Sequence, residues 1–297
     1  MNLRLVVIFV VFLFILSVKC HVTAQELVID TSRNITRNPG DDLSPAWSPD
    51  GEKLLYQSDR NGTWDIYLYD LGKDTTIRLT SDTTDEQNPG FYPGTEFIYY
   101  DTGEGENSYL YKLKPGTGEV LPVFGREIAC KDASFTPDGR MMYFLGYDEQ
   151  QKKWALYSYH FVYDVLNKLA DDGTGILYFD LAPDAKNVLY GYETYPYPYQ
   201  RLKIMSWYGD VQFELDKFNI PMAVWHPDRL KIYFVSDKDN LSGEIYSIWK
   251  NNTHEQRLTD DDRQVRNLAV APDGRKLACS VMVDGNYEII IISLPAY

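Results

Sequence analysis

A proline-centred motif recurs six times at a nearly constant interval, and this repetition constrains the fold more than any other feature of the chain. Three copies read Ser48-Pro49-Asp50-Gly51, Thr136-Pro137-Asp138-Gly139 and Ala271-Pro272-Asp273-Gly274. The variants are Tyr92-Pro93-Gly94, Ala182-Pro183-Asp184-Ala185 and His226-Pro227-Asp228. Successive prolines are separated by 44, 44, 46, 44 and 45 residues. A steady period of about 40–50 residues is typical of propellers and solenoids.

Each repeat predicts four short strands. An apolar residue two positions before the proline ends the first strand, and Pro-Asp-Gly favours a tight turn. In the first repeat, residues 53–56 and 65–69 predict the second and third strands, and residues 78–80 end the fourth. Four strands per repeat make one propeller blade. We therefore predict an all-β, six-bladed β-propeller with four-stranded blades near residues 43–80, 85–125, 130–170, 175–216, 220–259 and 265–297.

The last repeat predicts how the ring closes. Its third strand is followed almost at once by Tyr297, so a fourth strand must come from elsewhere. Asn34-Ile35-Thr36 precedes Pro49 much as Arg257-Leu258-Thr259 precedes Pro272. We predict that residues 26–36 complete the last blade, because closure removes an exposed sheet edge.

The amino terminus predicts export. Arg4 precedes an almost unbroken apolar run over residues 5–18, and Val22-Thr23-Ala24 offers small residues for cleavage. We predict a signal peptide over residues 1–24 and a mature propeller over residues 25–297, located in the periplasm or secreted. Lipid attachment at Cys20 is the alternative. Nothing later in the sequence predicts a membrane span.

The net charge limits the possible partners, and the cysteine positions predict whether a disulfide forms. The net charge is −14, which repels phosphate and makes nucleic acid an unsuitable partner. It suits cationic partners, divalent cations or simply solubility. Cys130 and Cys279 lie three repeats apart, too distant in a six-fold ring for a disulfide, and we predict two free, buried thiols.

The repeats resemble those of the TolB-type β-propeller family. The residues that carry the resemblance are Ser44-Pro45-Ala46-Trp47-Ser48-Pro49-Asp50-Gly51, Asp65-Ile66-Tyr67 and Arg78-Leu79-Thr80. TolB is a periplasmic envelope protein whose propeller binds a peptidoglycan-associated lipoprotein. It also carries an α/β domain before the propeller, for which this sequence has too few residues. The resemblance implies a non-catalytic protein-binding or scaffolding propeller of the bacterial cell envelope.

A search for catalytic motifs finds none. HExxH, CxxC and GxSxG are absent, and no two histidines stand at ligand spacing. We therefore expect no catalytic residues, no metal site and no cofactor. The alternative is a carbohydrate-active or hydrolytic enzyme that uses paired carboxylates at the channel mouth.

Connections between blades are consistently acidic. In a propeller, these connections share one face with the loops between second and third strands. We predict a negative ring around the channel mouth that binds a cationic segment or a divalent ion, against the alternative of ordinary turn chemistry. The candidate residues are Asp41, Asp42, Asp82, Asp85, Glu86, Asp171, Asp172, Asp260, Asp261 and Asp262.

Two further loops are candidate sites. Alternating proline and tyrosine over residues 192–199 favours a stiff, extended loop, and Tyr195, Tyr197 and Tyr199 are candidates for binding a peptide or sugar. Packing against a neighbouring blade is the alternative. Residues 237–244 resemble a calcium loop without the full pattern. The expected partner is an envelope protein or peptide, or else a glycan, and the expected state is a monomer.

Overall fold

A computed structural model describes residues 34–103, 105–123, 125, 128–196, 199–215, 219–239, 241–260 and 262–294. The predicted signal peptide and Cys20 lie outside these residues. The first three blades contain β1 (Asp42–Trp47), β2 (Lys53–Ser58), β3 (Asp65–Asp70) and β4 (Thr75–Arg78); β5 (Glu86–Phe91), β6 (Ile98–Thr102), β7 (Tyr109–Lys114) and β8 (Glu119–Pro122); and β9 (Cys130–Phe135), β10 (Met141–Asp148), β11 (Lys153–His160) and β12 (Val165–Ala170).

The other three blades complete the ring. They contain β13 (Ile176–Leu181), β14 (Asn187–Glu193), β15 (Gln200–Ser206) and β16 (Val211–Leu215); β17 (Met222–Trp225), β18 (Lys231–Ser236), β19 (Glu244–Trp249) and β20 (Gln256–Arg257); and β21 (Val265–Val270), β22 (Lys276–Val283) and β23 (Asn286–Ser293). Neighbouring strands in each blade are antiparallel and consecutive in sequence. The six-bladed, all-β prediction is confirmed.

The repeated turn follows the expected chemistry. Gly51, Gly139 and Gly274 have φ values of 72°, 66° and 69°, which glycine adopts without steric cost. Ala185 and Arg229 take the same left-handed conformation in blades four and five, so the turn persists where the glycine is replaced.

The hydrophobic core lies between adjacent blades. Between blades five and six, Tyr233 packs in one cluster with Leu277 and Ile290. Between blades six and one, Tyr56 packs with Ile289. Strands in the middle of a blade are buried on both faces, whereas β4 and β8 at the periphery are exposed along their whole length. The innermost and middle strands therefore hold the ring together.

The amino-terminal segment completes blade six. Asn34 forms an antiparallel bridge with Ile290, and the Ile35 amide donates to the Ile289 carbonyl at 3.0 Å. The Ile289 amide donates to Thr36 Oγ1 at 2.8 Å. Equivalent bonds run from Ile66 N to Thr80 Oγ1 at 2.8 Å and from Ile245 N to Thr259 Oγ1 at 2.9 Å. Residues 34–36 thus take the place of a fourth strand, and closure of the last blade by the amino-terminal segment is confirmed there, while residues 26–33 of the predicted segment lie outside the described residues.

Cys130 and Cys279 are buried and unpaired, as predicted. Within the described part of the chain, no helix has the length and apolar character needed to cross a membrane.

Candidate functional site

The six innermost strands surround a central channel. The connections between blades and the loops between second and third strands lie at one end of this channel. We call this end the loop face. A cavity of about 530 Å³ opens there, and a second of about 450 Å³ lies toward the proline turns. The larger cavity is lined by at least one residue from every blade, including Ser44, Asn88, Asp132, Asp180, Met222 and Asn267.

Backbone bulges shape the channel wall. Ser44, Asn88, Asp132 and Asn267 have φ values of 53°, 49°, 47° and 40°. Each is skipped in the pairing of its innermost strand with the second strand. All four stand five residues before the repeat proline. Serine, asparagine and aspartate tolerate this left-handed conformation, so a short polar side chain lines the channel in four of the six blades.

A carboxyl pair lies in the wall between blades two and three. Asp101 Oδ2 accepts hydrogen bonds from Asn88 Nδ2 at 3.1 Å and from the Asp132 amide at 3.4 Å. Its Oδ1 is buried and has no hydrogen-bond partner among the described residues. Burial, and then the negative charge of Asp132, raises the pKa of Asp101 well above its usual range. Burial also raises the pKa of Asp132, and the positive charge of the nearby Lys131 opposes this shift.

Asp180 adds a third carboxyl group from blade four. Burial raises its pKa to about 7, although its Oδ2 accepts the Trp225 amide at 2.7 Å. The Tyr99 hydroxyl donates to the Ala133 carbonyl at 2.7 Å. Its pKa is raised by burial and by the charges of all three aspartates. The channel thus holds carboxyl groups that retain protons near neutral pH.

The sequence did not single out these three aspartates. Asp132 had a usable signal, because it shares its place before the proline with Ser44, Asn88 and Asn267. Asp101 and Asp180 belong to no motif, and only the ring brings their strands together.

The structure places most of the predicted acidic residues in contacts within the fold. Asp42 is fully buried and pairs with Arg60 at 3.0 Å. Asp171 pairs with Lys168, and Asp172 with Lys203, both at 2.9 Å. Further contacts of this kind join Asp41 Oδ1 to the Tyr287 amide, Asp172 to the Tyr190 hydroxyl, and Asp260 to Arg257.

The connection between blades one and two differs. Asp82 and Asp85 are exposed, and Asp85 accepts the Trp64 amide at 2.9 Å. Glu86 is buried, and burial together with a hydrogen bond to Asp82 raises its pKa to about 7. Asp262 is exposed, and Asp261 lies outside the described residues. The candidates therefore form separate clusters, and their binding role stays a prediction.

The tyrosine loop projects from the same face. Tyr195 is 85% exposed and Tyr199 57%, while Tyr197 lies outside the described residues. At the base of the loop, the Thr174 amide donates to the Glu193 carbonyl at 3.1 Å. This bond places the loop beside the Asp171-Asp172 connection. The two tyrosines are therefore not buried against a neighbouring blade, and their role in binding stays a prediction.

No group of three or more metal-ligating side chains occurs in the described ranges. In the loop resembling a calcium site, Asp239 accepts the Tyr246 hydroxyl at 2.7 Å and Glu244 pairs with Arg257 at 3.1 Å. Calcium at this loop stays a prediction.

Comparison with known proteins identifies related propellers. The family model described as TolB beta propeller domain matches residues 10–223. The Tol-Pal system protein TolB of Desulfosudis oleivorans is 37% identical over 91 residues, which cover 30% of this chain and 20% of that protein. The chain matches about a third or less of the length of its curated relatives.

Solved structures share the fold. A putative TolB from Agrobacterium tumefaciens superposes with a TM-score of 0.63 at 18% identity, covering 91% of this chain and 98% of that one. An oligogalacturonate lyase from Vibrio parahaemolyticus superposes with a TM-score of 0.62 at 12% identity, covering 88% and 93%. A putative TolB and a lyase therefore share this architecture, so the fold alone does not assign a function and the site has to be considered.

Proposed function

This chain belongs to the TolB β-propeller family, and we propose that it is a non-catalytic binding module of the bacterial cell envelope, periplasmic or secreted. The observation that carries the proposal is the polar channel, which opens on the loop face and is lined by residues from all six blades. Rigid scaffolds that present polar loops around a cavity commonly bind a partner there.

The shape of the cavity favours an extended segment. A volume of about 530 Å³ accommodates a few residues of polypeptide but not a folded domain. Ser44, Asn88 and Asn267 offer side-chain oxygens around the ring, and these suit the amide groups of an extended backbone.

The charge of this face favours a basic partner. Asp82 and Asp85 are exposed on the loop face, and Asp132 and Asp180 line the wall. A lysine or arginine entering the channel would favour the ionised forms of Asp132 and Asp180, since a nearby cation lowers the pKa of an acid. We therefore expect binding to weaken with added salt.

Cross-linked pull-down from the native envelope, read by mass spectrometry, tests this function. The bait is the tagged mature chain. One dominant polypeptide partner, reduced by Asp82→Lys with Asp85→Lys and by Asp132→Asn, supports the proposal. Glu52→Lys, which reverses an exposed acid at the opposite end of the blade, is the matched control. A partner that every variant retains equally would contradict the assignment of this face.

An enzyme is the second candidate, because burial raises the pKa of Asp180, which lines the channel with Tyr99, to about 7, and raises that of Asp101 in the wall well above its usual range. Raised carboxyl pKa values are typical of general acids. The test is to incubate the protein with polygalacturonate and with neutral glycans and to follow cleavage by mass spectrometry. Cleavage lost in Asp180→Asn would favour catalysis over binding.

A further inference from the structure

Exposed aromatic rings cluster on the face opposite the loop face. This second face, which we call the turn face, carries the proline turns and the hairpins between third and fourth strands. One backbone bond joins hairpin to turn in each of blades three to five: Phe161 N to Arg140 O, Trp207 N to Lys186 O and Lys250 N to Leu230 O, at 2.8–3.1 Å.

Three consecutive hairpins each present a pair of rings. Trp207 and Tyr208 of blade four lie edge to face with their centroids 5.3 Å apart. Tyr163 of blade three lies 4.4 Å from the His160 ring, and Trp249 of blade five lies 4.8 Å from the His254 ring. Tyr163 is 73% exposed, Tyr208 63% and Trp207 47%. We call these six rings the aromatic arc.

The fold does not require these rings. The corresponding hairpins of blades one and two contain Leu71-Gly72-Lys73-Asp74 and Pro115-Gly116-Thr117-Gly118, with no aromatic residue. Large exposed rings cost solubility, so their restriction to adjacent blades indicates a surface that contacts something.

The three hairpins form a continuous stretch of the rim. Arg229 Nη1 of blade five lies 3.4 Å from Asp184 Oδ2 in the turn of blade four. A Cβ atom at Gly209, in the blade-four hairpin, would lie 3.9 Å from the Leu169 carbonyl oxygen of β12. These contacts place the three blades side by side, so a polymer strand that follows the rim passes the three pairs in succession.

We propose that the aromatic arc binds a strand of a neutral polysaccharide. Tyrosine and tryptophan present a rigid apolar face and a polar edge, which match the C–H face and the hydroxyl rim of a sugar ring. Each hairpin also holds a polar side chain: Asp164 accepts the Tyr159 hydroxyl and Asn251 the Thr253 hydroxyl, each at 2.7 Å, and Asp210 is exposed. Three similar platforms in succession suit a ligand whose units also repeat.

Charge distinguishes a neutral glycan from other occupants. The chain carries a net charge of −14, and Asp164 and Asp210 lie within the hairpins. The turns and hairpins of blades three to five hold five aspartates against Arg140, Lys186, Arg229 and Lys250, so this face has no excess of positive charge that would attract anionic lipid or an acidic polysaccharide. Apolar side chains are also exposed beside the rings, at Val162, Val211 and Leu230, so self-association is one outcome that the experiment must distinguish from glycan binding.

Native affinity electrophoresis of the mature chain tests this site. The gels contain hydroxyethyl cellulose, laminarin or galactomannan as neutral probes, or polygalacturonate as an acidic one. We expect at least one neutral polymer to retard the protein and polygalacturonate not to. Removing one ring by Trp207→Ala or Tyr163→Ala should weaken binding by about tenfold. Ile77→Ala, which removes an equally exposed apolar group from β4 of blade one, should leave it unchanged.

Other outcomes overturn the proposal. One is that none of the three neutral polymers retards the protein. Another is that the triple variant Tyr163→Ala/Trp207→Ala/Trp249→Ala, with unaltered thermal unfolding, is retarded as strongly as wild type. A third is that the rings instead cause dimerisation or binding to anionic vesicles. The site is independent of the channel, so Asp132→Asn should bind glycan normally even if it loses a polypeptide partner.

Discussion

Carboxyl groups at the loop face and those in the channel wall differ in what surrounds them. Asp42 and Asp171 at the loop face each lie within 3.0 Å of a lysine or arginine nitrogen. In the wall, Asp101 and Asp180 accept hydrogen bonds from neutral amides. A nearby cation stabilises the carboxylate, whereas burial without one favours the protonated acid.

This difference indicates which carboxyl groups can interact with a ligand without first breaking an ion pair. A carboxylate that is already paired with an arginine of its own blade stabilises the folded blade. Binding a ligand through this carboxylate would require the ion pair to break. The wall carboxyls have no such commitment and can exchange a proton for an incoming cation. Counting acidic residues in the sequence therefore identifies the loop face but does not reveal the carboxyl groups of the channel wall.

Breaking a pair at the loop face should have the largest effect. Arg60→Met leaves Asp42 fully buried without its cation, and we expect a loss of about 3 kcal/mol in the free energy of unfolding. Asp101→Asn replaces a protonated acid by an amide of similar shape and should cost less than about 1 kcal/mol. Urea denaturation at pH 7 measures both, and equal losses would contradict the distinction.

The pH dependence of stability should reveal the channel carboxyls. The folded pKa of Asp180 is about 7, above its unfolded value near 4, so the folded state binds more protons between these values. Titration of Asp180 alone should therefore lower the free energy of unfolding by about 2.6 kcal/mol from pH 5 to pH 8. In Asp180→Asn the fall should be smaller. An identical profile in the variant would show that Asp180 does not titrate in this range.

The closing blade offers an intermediate case. Glu288 is buried and accepts the Thr36 hydroxyl at 2.6 Å, and burial raises its pKa. Thr36→Val should cost about 1–2 kcal/mol through this bond and the Ile289 amide. Thr80→Val removes the equivalent hydroxyl of blade one and its bond to the Ile66 amide, so it measures the cost of this bond in a blade that is not the closing one. A Thr36 variant as stable as wild type would mean that closure does not depend on this hydroxyl.

Exposed acids should have the smallest effect on stability. Asp82→Lys with Asp85→Lys should change the free energy of unfolding by no more than about 0.5 kcal/mol. Partner binding, measured by titration at low and high salt, should weaken most at low salt, where charges are least screened. Unchanged binding at low salt would remove these two residues from the site.

The fold was predictable because its signal is local and repeated six times. Each Pro-Asp-Gly turn and each strand can be read within one repeat, and Thr36 could be matched to Thr259 by spacing alone. The site was not predictable in the same way. Asp101 lies on a second strand, Asp132 and Asp180 on innermost strands, and no local pattern connects them.

The sequence by itself determined the number of blades, their strand order, the closing segment and the absence of a bridge between Cys130 and Cys279. These depend on turn chemistry, strand periodicity and repeat count, which act over a few residues. Only the tertiary structure decided which acids are neutralised and which retain protons. Burial and the nearest cation fix the ionisation of a carboxyl group, and both depend on residues that the closed ring brings together from different blades.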